Sequence, residues 1–182
     1  MKYDVTIGIE VHVQLKTASK MFCSCKLDMD QEKANSNICP ICLGLPGSLP
    51  AINKRAVELG VKFGLATNSK INLKSRFDRK NYFYPDLPKA YQITQLFEPI
   101  CEGGSVECFD GSESFSIELD RAHLEEDAAK LIHPNGKKYT LVDFNRAGSP
   151  LLEIVTKPVI KSPKQARLYL EALHQLVVLQ NI

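Results

Sequence analysis

A chain of 182 residues, 44% hydrophobic and 24% charged, has the make-up of an ordinary globular protein and suffices for one compact domain with a small appendage. A formal net charge of +2 neither demands nor excludes a nucleic-acid partner. No apolar run approaches the ~18 residues of a membrane span, and the start, Met1-Lys2-Tyr3-Asp4, carries no apolar signal core. The expectation is a cytoplasmic protein with no membrane association, and in a reducing compartment six cysteines argue for metal or thiol chemistry over disulfides.

The first predicted element spans Val5 to Gln14 and alternates strictly, which is the period of a half-buried strand. Val5, Ile7, Ile9, Val11 and Val13 share one face; Thr6, Gly8, Glu10, His12 and Gln14 share the other. Glu10 and His12 therefore look the same way. A carboxylate beside an imidazole can hold a divalent cation or work as an acid/base pair, and Gly8 leaves room for a close approach to the backbone. The alternative is a solvated outer face of an edge strand.

Cys23-Ser-Cys25 and Cys39-Pro-Ile-Cys42 flank a polar segment, 26–38, containing Asp28, Asp30, Glu32, Asn35 and Asn37. Two short-spaced pairs around such a loop predict four ligands of a structural zinc ion, stapling a segment too polar to make its own core. Free thiols, or a redox pair in C-x-x-C, are the competing readings. Cys101 and Cys108 stand alone. Residues 44–53, with two prolines and two glycines, turn the chain into a helix that Asn53 is placed to cap and that runs to about Ala66. Its face would carry Ala56, Val57, Gly60, Val61 and Gly64, the two glycines offering a groove to a close neighbour.

Residues 70–91 hold six cations against two carboxylates, interleaved with Phe77, Tyr82, Phe83, Tyr84 and Tyr91. That mixture suits phosphates and a stacked base, or a single-stranded nucleic-acid path, and equally a structural loop with solvated charges. Short strands follow to 119, with turns at Gly103-Gly104 and Asp110-Gly111 and alternating Phe115, Ile117 and Leu119. Glu125, Glu126 and Asp127 then stand in a row, as a solvated turn or as oxygen ligands for magnesium. Parity does not say which of Glu125 and Glu126 points inward, because a strand can bend there. A hairpin is expected around Pro134-Asn-Gly136, then strands 138–144 and 151–155, the latter with Glu153 opposite Leu152 and Ile154. Ser162-Pro-Lys-Gln165 opens a helix with Ala166, Tyr169, Leu170, Leu173, Leu176 and Val177 on one face. The apolar end, without a helix-ending glycine, suggests a piece of something longer.

Five segments together, Ile7-Gly-Ile-Glu-Val-His-Val-Gln-Leu-Lys-Thr17, Phe77-Asp-Arg-Lys-Asn-Tyr-Phe-Tyr-Pro-Asp86, Pro88-Lys-Ala-Tyr-Gln-Ile93, His123-Leu-Glu-Glu-Asp-Ala128 and Leu141-Val-Asp-Phe-Asn-Arg146, closely resemble the B-subunit family of aspartyl/glutamyl-tRNA amidotransferases. The resemblance covers residues 1–182 as the N-terminal part of that family's catalytic domain, without its helical and tail domains. It implies an α+β fold, a cradle-like mainly antiparallel sheet with flanking helices, similar to glutamine synthetase and guanido kinases, plus the small zinc-stapled loop. It further implies a ligase in which Mg-ATP phosphorylates the side-chain carboxylate of glutamate or aspartate misacylated onto tRNA. Ammonia released from glutamine by a partner amidase, the A component, then forms the amide, with a small C component completing the heterotrimer. Such a chain would not be active alone.

Position by position, the resemblance makes Glu10, His12, Glu125 and Glu126 the magnesium and catalytic set. It puts Lys89 and Glu126 near the exit of an ammonia channel, and matches Cys23, Cys25, Cys39 and Cys42 to a zinc site. Arg79 and Lys80 are expected at the ATP phosphates on charge alone. The rival from another class is a zinc-stapled RNA-binding module without catalysis.

Overall fold

The computed structural model describes residues 3–27 and 33–182, so Asp28, Asp30 and Glu32 of the polar segment lie outside it. In chain order the elements are β1 (Glu10–Gln14), α1 (Lys54–Ala66), β2 (Lys70–Ile71), β3 (Asp78–Asn81), β4 (Tyr91–Thr94) and β5 (Cys101–Glu102). There follow β6 (Ser105–Asp110), β7 (Glu113–Glu126), β8 (Lys130–Ile132), β9 (Leu141–Asp143), β10 (Pro150–Thr156) and α2 (Pro163–Leu179). The architecture is α+β, and every strand pairing among the described residues is antiparallel. The main sheet runs β1-β10-β7-β5-β2 with β6 also on β7, while β3–β4 and β8–β9 are separate pairs. Among the described residues no helix is long and apolar enough to cross a membrane.

The sheet is built about β10, Pro-Leu-Leu-Glu-Ile-Val-Thr, which is flanked on both edges by β1 and β7. Its dense run of apolar residues is what a strand without a free edge requires. Leu152 and Ile154 are fully buried among the core residues, and Glu153 points to the other face, as the alternation predicts. The first strand is shorter than expected. Its ladder begins at Glu10, and upstream only an isolated bridge joins Ile7 to Ile160. The cause lies across the sheet: beyond Thr156 the chain meets Pro158, which has no N–H to give a ladder. Ile9 N–H donates instead to the Thr156 hydroxyl, 2.9 Å away. Val5, expected on the apolar face, is exposed.

Strand β7 contains the irregularity that positions the site. Its buried apolar residues are Ile117 and Leu119 in the first half and Ala122 and Leu124 in the second, so the core-facing parity switches from odd to even. The pairing with β10 shows why: Val155 faces Arg121 but Thr156 faces Leu119, leaving Asp120 as an extra residue. A bulge of this kind re-aims every side chain beyond it. Without it, Glu125 would project into the core.

Asn53 caps α1 as predicted, its side-chain oxygen accepting from the backbone N–H groups of Arg55 and Ala56. The buried stripe is wider than the one read from the sequence, with Leu59 and Phe63 joining Ala56, Gly60 and Gly64. The glycine groove is real. Gly60 lies against Ile100 and Leu124, and a Cβ at Gly64 would sit 2.3 Å from Ile71 Cδ1 and 2.5 Å from Cys101 Sγ. Gly64→Ala is therefore expected to destabilise the chain by about 1–3 kcal/mol despite alanine's better helix propensity, because crowding a packed core outweighs it. Urea unfolding checks this, and an unchanged or raised midpoint would refute it.

Helix α2 starts at the predicted cap, Ser162 Oγ accepting from Gln165 N–H, while Gln165 Oε1 reaches back to Lys161 N–H at 2.8 Å. Tyr169 and Leu173 are its buried residues, and Leu170, expected on the inner face, is exposed. The strand expected over 138–144 is only β9, because Asp143 turns its carboxylate onto the Asn145 N–H and ends the ladder. Cys101 and Cys108 are core residues.

Candidate active site

On the sheet face away from α1, the register aligns His12 of β1 with Glu153 of β10, and Glu153 with His123 of β7. Glu125, two residues beyond His123, shares that face because of the bulge. His12 Nε2 lies 3.1 Å from Glu125 Oε1 and 3.3 Å from Glu153 Oε2. His123 Nε2 is 3.4 Å from Glu153 Oε2, and the Thr94 hydroxyl donates to Glu125 Oε2 at 3.1 Å. Donor atoms of His12, Glu125 and Glu153 all fall within 4.8 Å of one another.

Such spacings fit imidazole–carboxylate contacts, and they equally fit neighbouring corners of an octahedron about a cation with ~2.1 Å bonds. Three protein ligands on one open face leave corners for water and phosphate oxygens. Two carboxylates with one imidazole suit magnesium or manganese.

The structure brings two residues of the expected four-residue set together. His12 and Glu125 converge; Glu10 projects from the same face one row along, aligned with Val155 and Arg121, exposed and outside the donor cluster. Glu126 faces the other way, because neighbouring residues of a strand point to opposite sides. There it is buried, accepts from Lys89 Nζ and takes the Ile93 N–H at 3.1 Å. Glu153, outside the expected set, joins His12 and Glu125 in the donor cluster. Its signal was visible, a lone carboxylate opposite two apolar residues, but its strand neighbours were not.

Two clefts meet at Glu125. One, of about 270 Å³, is bounded by Arg79, Lys80, Arg121, His123, Glu125 and Glu153. The other, of about 410 Å³, includes His12, Gln14, Gln92, Glu125 and Asp127. The cations gather in the first. Arg79, anchored by its guanidinium 4.8 Å over the Tyr91 ring, and Lys80 come from the β3–β4 hairpin, while Arg121 is an addition to the predicted pair. The aromatics of the basic stretch divide: Phe77 packs edge-on against Phe22, and Tyr82, Phe83 and Tyr84 are exposed.

Burial pulls the His123 imidazole toward its neutral form, but hydrogen bonds to Glu125 and Glu153 and their charges outweigh it, so its pKa is raised. Glu153, hydrogen-bonded by His123, is pushed down to about 2. The paired charges stabilise the fold between these limits. That contribution is lost as pH falls through the Glu153 value, and as pH rises from the ordinary histidine range through the raised His123 value. In magnesium-free buffer we expect the melting temperature to fall as pH rises out of the ordinary histidine range through the raised His123 value. His123→Gln should remove this dependence; a variant that keeps the wild-type profile would refute it.

The cysteines form a second centre. Cys42 Sγ lies 3.4 Å from Cys23 Sγ, 3.6 Å from Cys39 Sγ and 3.7 Å from Cys25 Sγ. A disulfide would bring sulfurs to ~2.05 Å. A tetrahedron with ~2.3 Å zinc–sulfur arms has edges of roughly 3.8 Å, close to what is observed. The hydrogen bond to Cys23 leads in pushing the Cys42 thiol down to about 4, with Lys20 assisting, while Cys25 is pushed up to about 11, first by burial. Lys20 is itself fully buried, its Nζ 2.9 Å from the Asn37 carbonyl and 3.6 Å from Cys42 Sγ. A buried ammonium beside Cys42 Sγ supplies positive charge that would favour thiolates in this cluster.

Comparison with known proteins identifies the family. Residues 5–182 match the GatB/GatE catalytic domain. Proteins named as the B component of aspartyl/glutamyl-tRNA(Asn/Gln) amidotransferase are similar over 97–99% of the chain: 51% identical in Thermomicrobium roseum, 53% in Campylobacter curvus and 54% in Thermodesulfovibrio yellowstonii. The chain spans 37% of the length of each. With the match running through both centres and nearly the whole chain, it belongs to the GatB/GatE catalytic-domain family.

Proposed function

We propose that this chain carries the phosphoryl-transfer site of a tRNA-dependent amidotransferase. The carboxylate of glutamate or aspartate misacylated onto tRNA attacks the γ-phosphorus of ATP, releasing ADP and giving an acyl phosphate. Ammonia then adds to that carbonyl and phosphate leaves with its bridging oxygen. Activation is needed because a carboxylate is a poor electrophile. The observation that carries this reading is the convergence of His12, Glu125 and Glu153 beside a cleft holding Arg79, Lys80 and Arg121.

In this reading His12, Glu125 and Glu153 would hold magnesium, with Glu10 near enough along the same face to act through its water. The ion supplies neutralisation of phosphate charge. Arg79, Lys80 and Arg121 orient the polyphosphate in their cleft, and the acceptor carboxylate enters from the Gln14 side, so Glu125 stands between the two reactants. Lys89 and Glu126 line a separate cavity of about 50 Å³, room for a water-sized molecule such as ammonia. It sits behind the terminal residues of β7, one strand's thickness from Glu125. The ammonia would come from glutamine through the amidase partner, in a cytoplasmic complex completed by the small C component. The sheet is read as a cradle of the glutamine synthetase and guanido kinase kind.

Calorimetric titration of ATP tests this, with and without magnesium. The wild-type chain is expected to bind ATP in a magnesium-dependent way, and Glu125→Gln and Glu10→Gln to weaken that dependence. A zinc-stapled RNA-binding module would bind tRNA but show no magnesium-dependent ATP binding in any form, and that outcome would replace the present reading.

A further inference from the structure

The cysteine centre and the Lys89–Glu126 pair share a wall. Cys23, Cys42, Gly44, Lys89, Glu126 and Gly148 all border the cavity of about 50 Å³. Immediately after Cys39 the chain folds into a tight turn, with Leu43 N–H donating to the Cys39 carbonyl, Gly44 N–H to Ile41 and Leu45 N–H to Pro40. This turn leaves Gly44 at φ +64°, its backbone pressed on the stem of Lys89. A Cβ there would lie 2.3 Å from Lys89 Cγ, 3.1 Å from its Cβ and 3.2 Å from its Cα. The contact therefore tolerates no side chain.

Beyond the Gly44 contact, Lys89 is held at its tip. It sits in the connection between β3 and β4, flanked by Pro88 and by Ala90 at φ +61°, and its ammonium touches Glu126 and lies 5.8 Å from the Tyr91 ring. Both side chains are nearly inaccessible, at 9% and 5%. In the turn that confines Lys89 only Cys42 is buried, while Ile41 and Leu43 are half-buried and Leu45 is exposed.

We propose that the metal-loaded cysteine knuckle is a positioning device for Lys89: zinc fixes the 39–45 turn, Gly44 seats the lysine stem, and the ammonium is thereby aimed at Glu126. Gly44 and the four cysteines are positioning residues that act through Lys89. The inference rests on the cysteines holding zinc and on no assignment of what Lys89 does chemically.

Site-resolved acetylation of the chain by acetic anhydride, read by mass spectrometry, tests it. In the zinc-loaded wild type Lys89 should be labelled far more slowly than exposed Lys54. Stripping the metal with a chelator should raise Lys89 labelling at least tenfold, with Lys54 unchanged and the far-ultraviolet dichroism retained. Gly44→Ala, analysed with its zinc still bound at one per chain, should raise Lys89 labelling similarly while leaving Lys20 protected, which separates loss of the seat from loss of the metal. Should stripping unfold the chain, the zinc-loaded Gly44→Ala protein decides. Zinc bound with Lys89 equally protected in that variant would overturn the positioning role and leave the zinc site standing. No zinc in the purified wild type would overturn both.

Discussion

On the proposed function, Glu125→Gln is expected to lower magnesium-dependent phosphoryl transfer by about 10²–10³-fold in the assembled amidotransferase, the scale seen when one preorganised electrostatic partner is removed from a reaction centre. Glu126→Gln, one residue away, should leave that step within a few-fold of wild type and depress amide formation instead. The reason is geometric. Glu125 lies 3.1 Å from His12 and faces the cationic cleft, whereas Glu126 faces Lys89 across the strand.

Burial pushes the Glu126 carboxyl above the usual carboxylate range, with the Lys89 charge opposing this. Removing its charge leaves a buried ammonium without its partner, which costs stability, typically about 3–5 kcal/mol. The two variants must therefore be compared well below their melting temperatures. The measurement is ADP release set beside amide formed on the misacylated tRNA. Equal loss of ADP release in both would mean that the partition of the two carboxylates between faces has no functional meaning.

Cys42→Ser should abolish stoichiometric zinc and lower the melting temperature by about 10 °C, corresponding to about 2.5–5 kcal/mol for a chain of this size. Cys42 is the most buried of the four cysteines and lies within 3.7 Å of each of the other three sulfurs, so its loss removes one of the four ligands from the interior side of the site. Zinc-finger peptides gain apparent energies of ~10–16 kcal/mol from such sites, an upper bound here because the sheet and helices have a core of their own. Lys20→Met should weaken zinc by about 10–100-fold, the range for partners that support metal ligands from behind. Cys101→Ser and Cys108→Ser, changes in the hydrophobic core, should leave the metal content at one. Elemental analysis with thiol titration reads these outcomes. A Cys42→Ser protein that keeps both its zinc and its melting temperature would refute the tetrathiolate site.

Much of this architecture is local and was legible in order along the chain. Asn53 and Ser162 announce their helices because a side-chain oxygen must satisfy the first free N–H groups wherever a helix begins. The alternation around Glu10 and His12, the turn at Asp110-Gly111 and the spacing of the four cysteines are equally short-range. The same alternation sets Glu153 on the face of β10 opposite Leu152 and Ile154.

What remained hidden depended on which strands became neighbours. Thr156 and Ile9 are 147 residues apart in sequence, and nothing local says that β10 inserts between β1 and β7 to carry Glu153 up to His12 and His123. The bulge at Asp120 is likewise a property of a pairing. Alternation alone, extended from Ile117 and Leu119, sends Glu125 into the core; the extra residue reverses it, sending Glu125 to the face that gathers His12 and Glu153, and Glu126 to Lys89. Residue types and their periods thus determined the elements and the candidate chemistry. The long-range register decided which carboxylates share a site, because a shift of one residue in an antiparallel pair exchanges the two faces of everything beyond it.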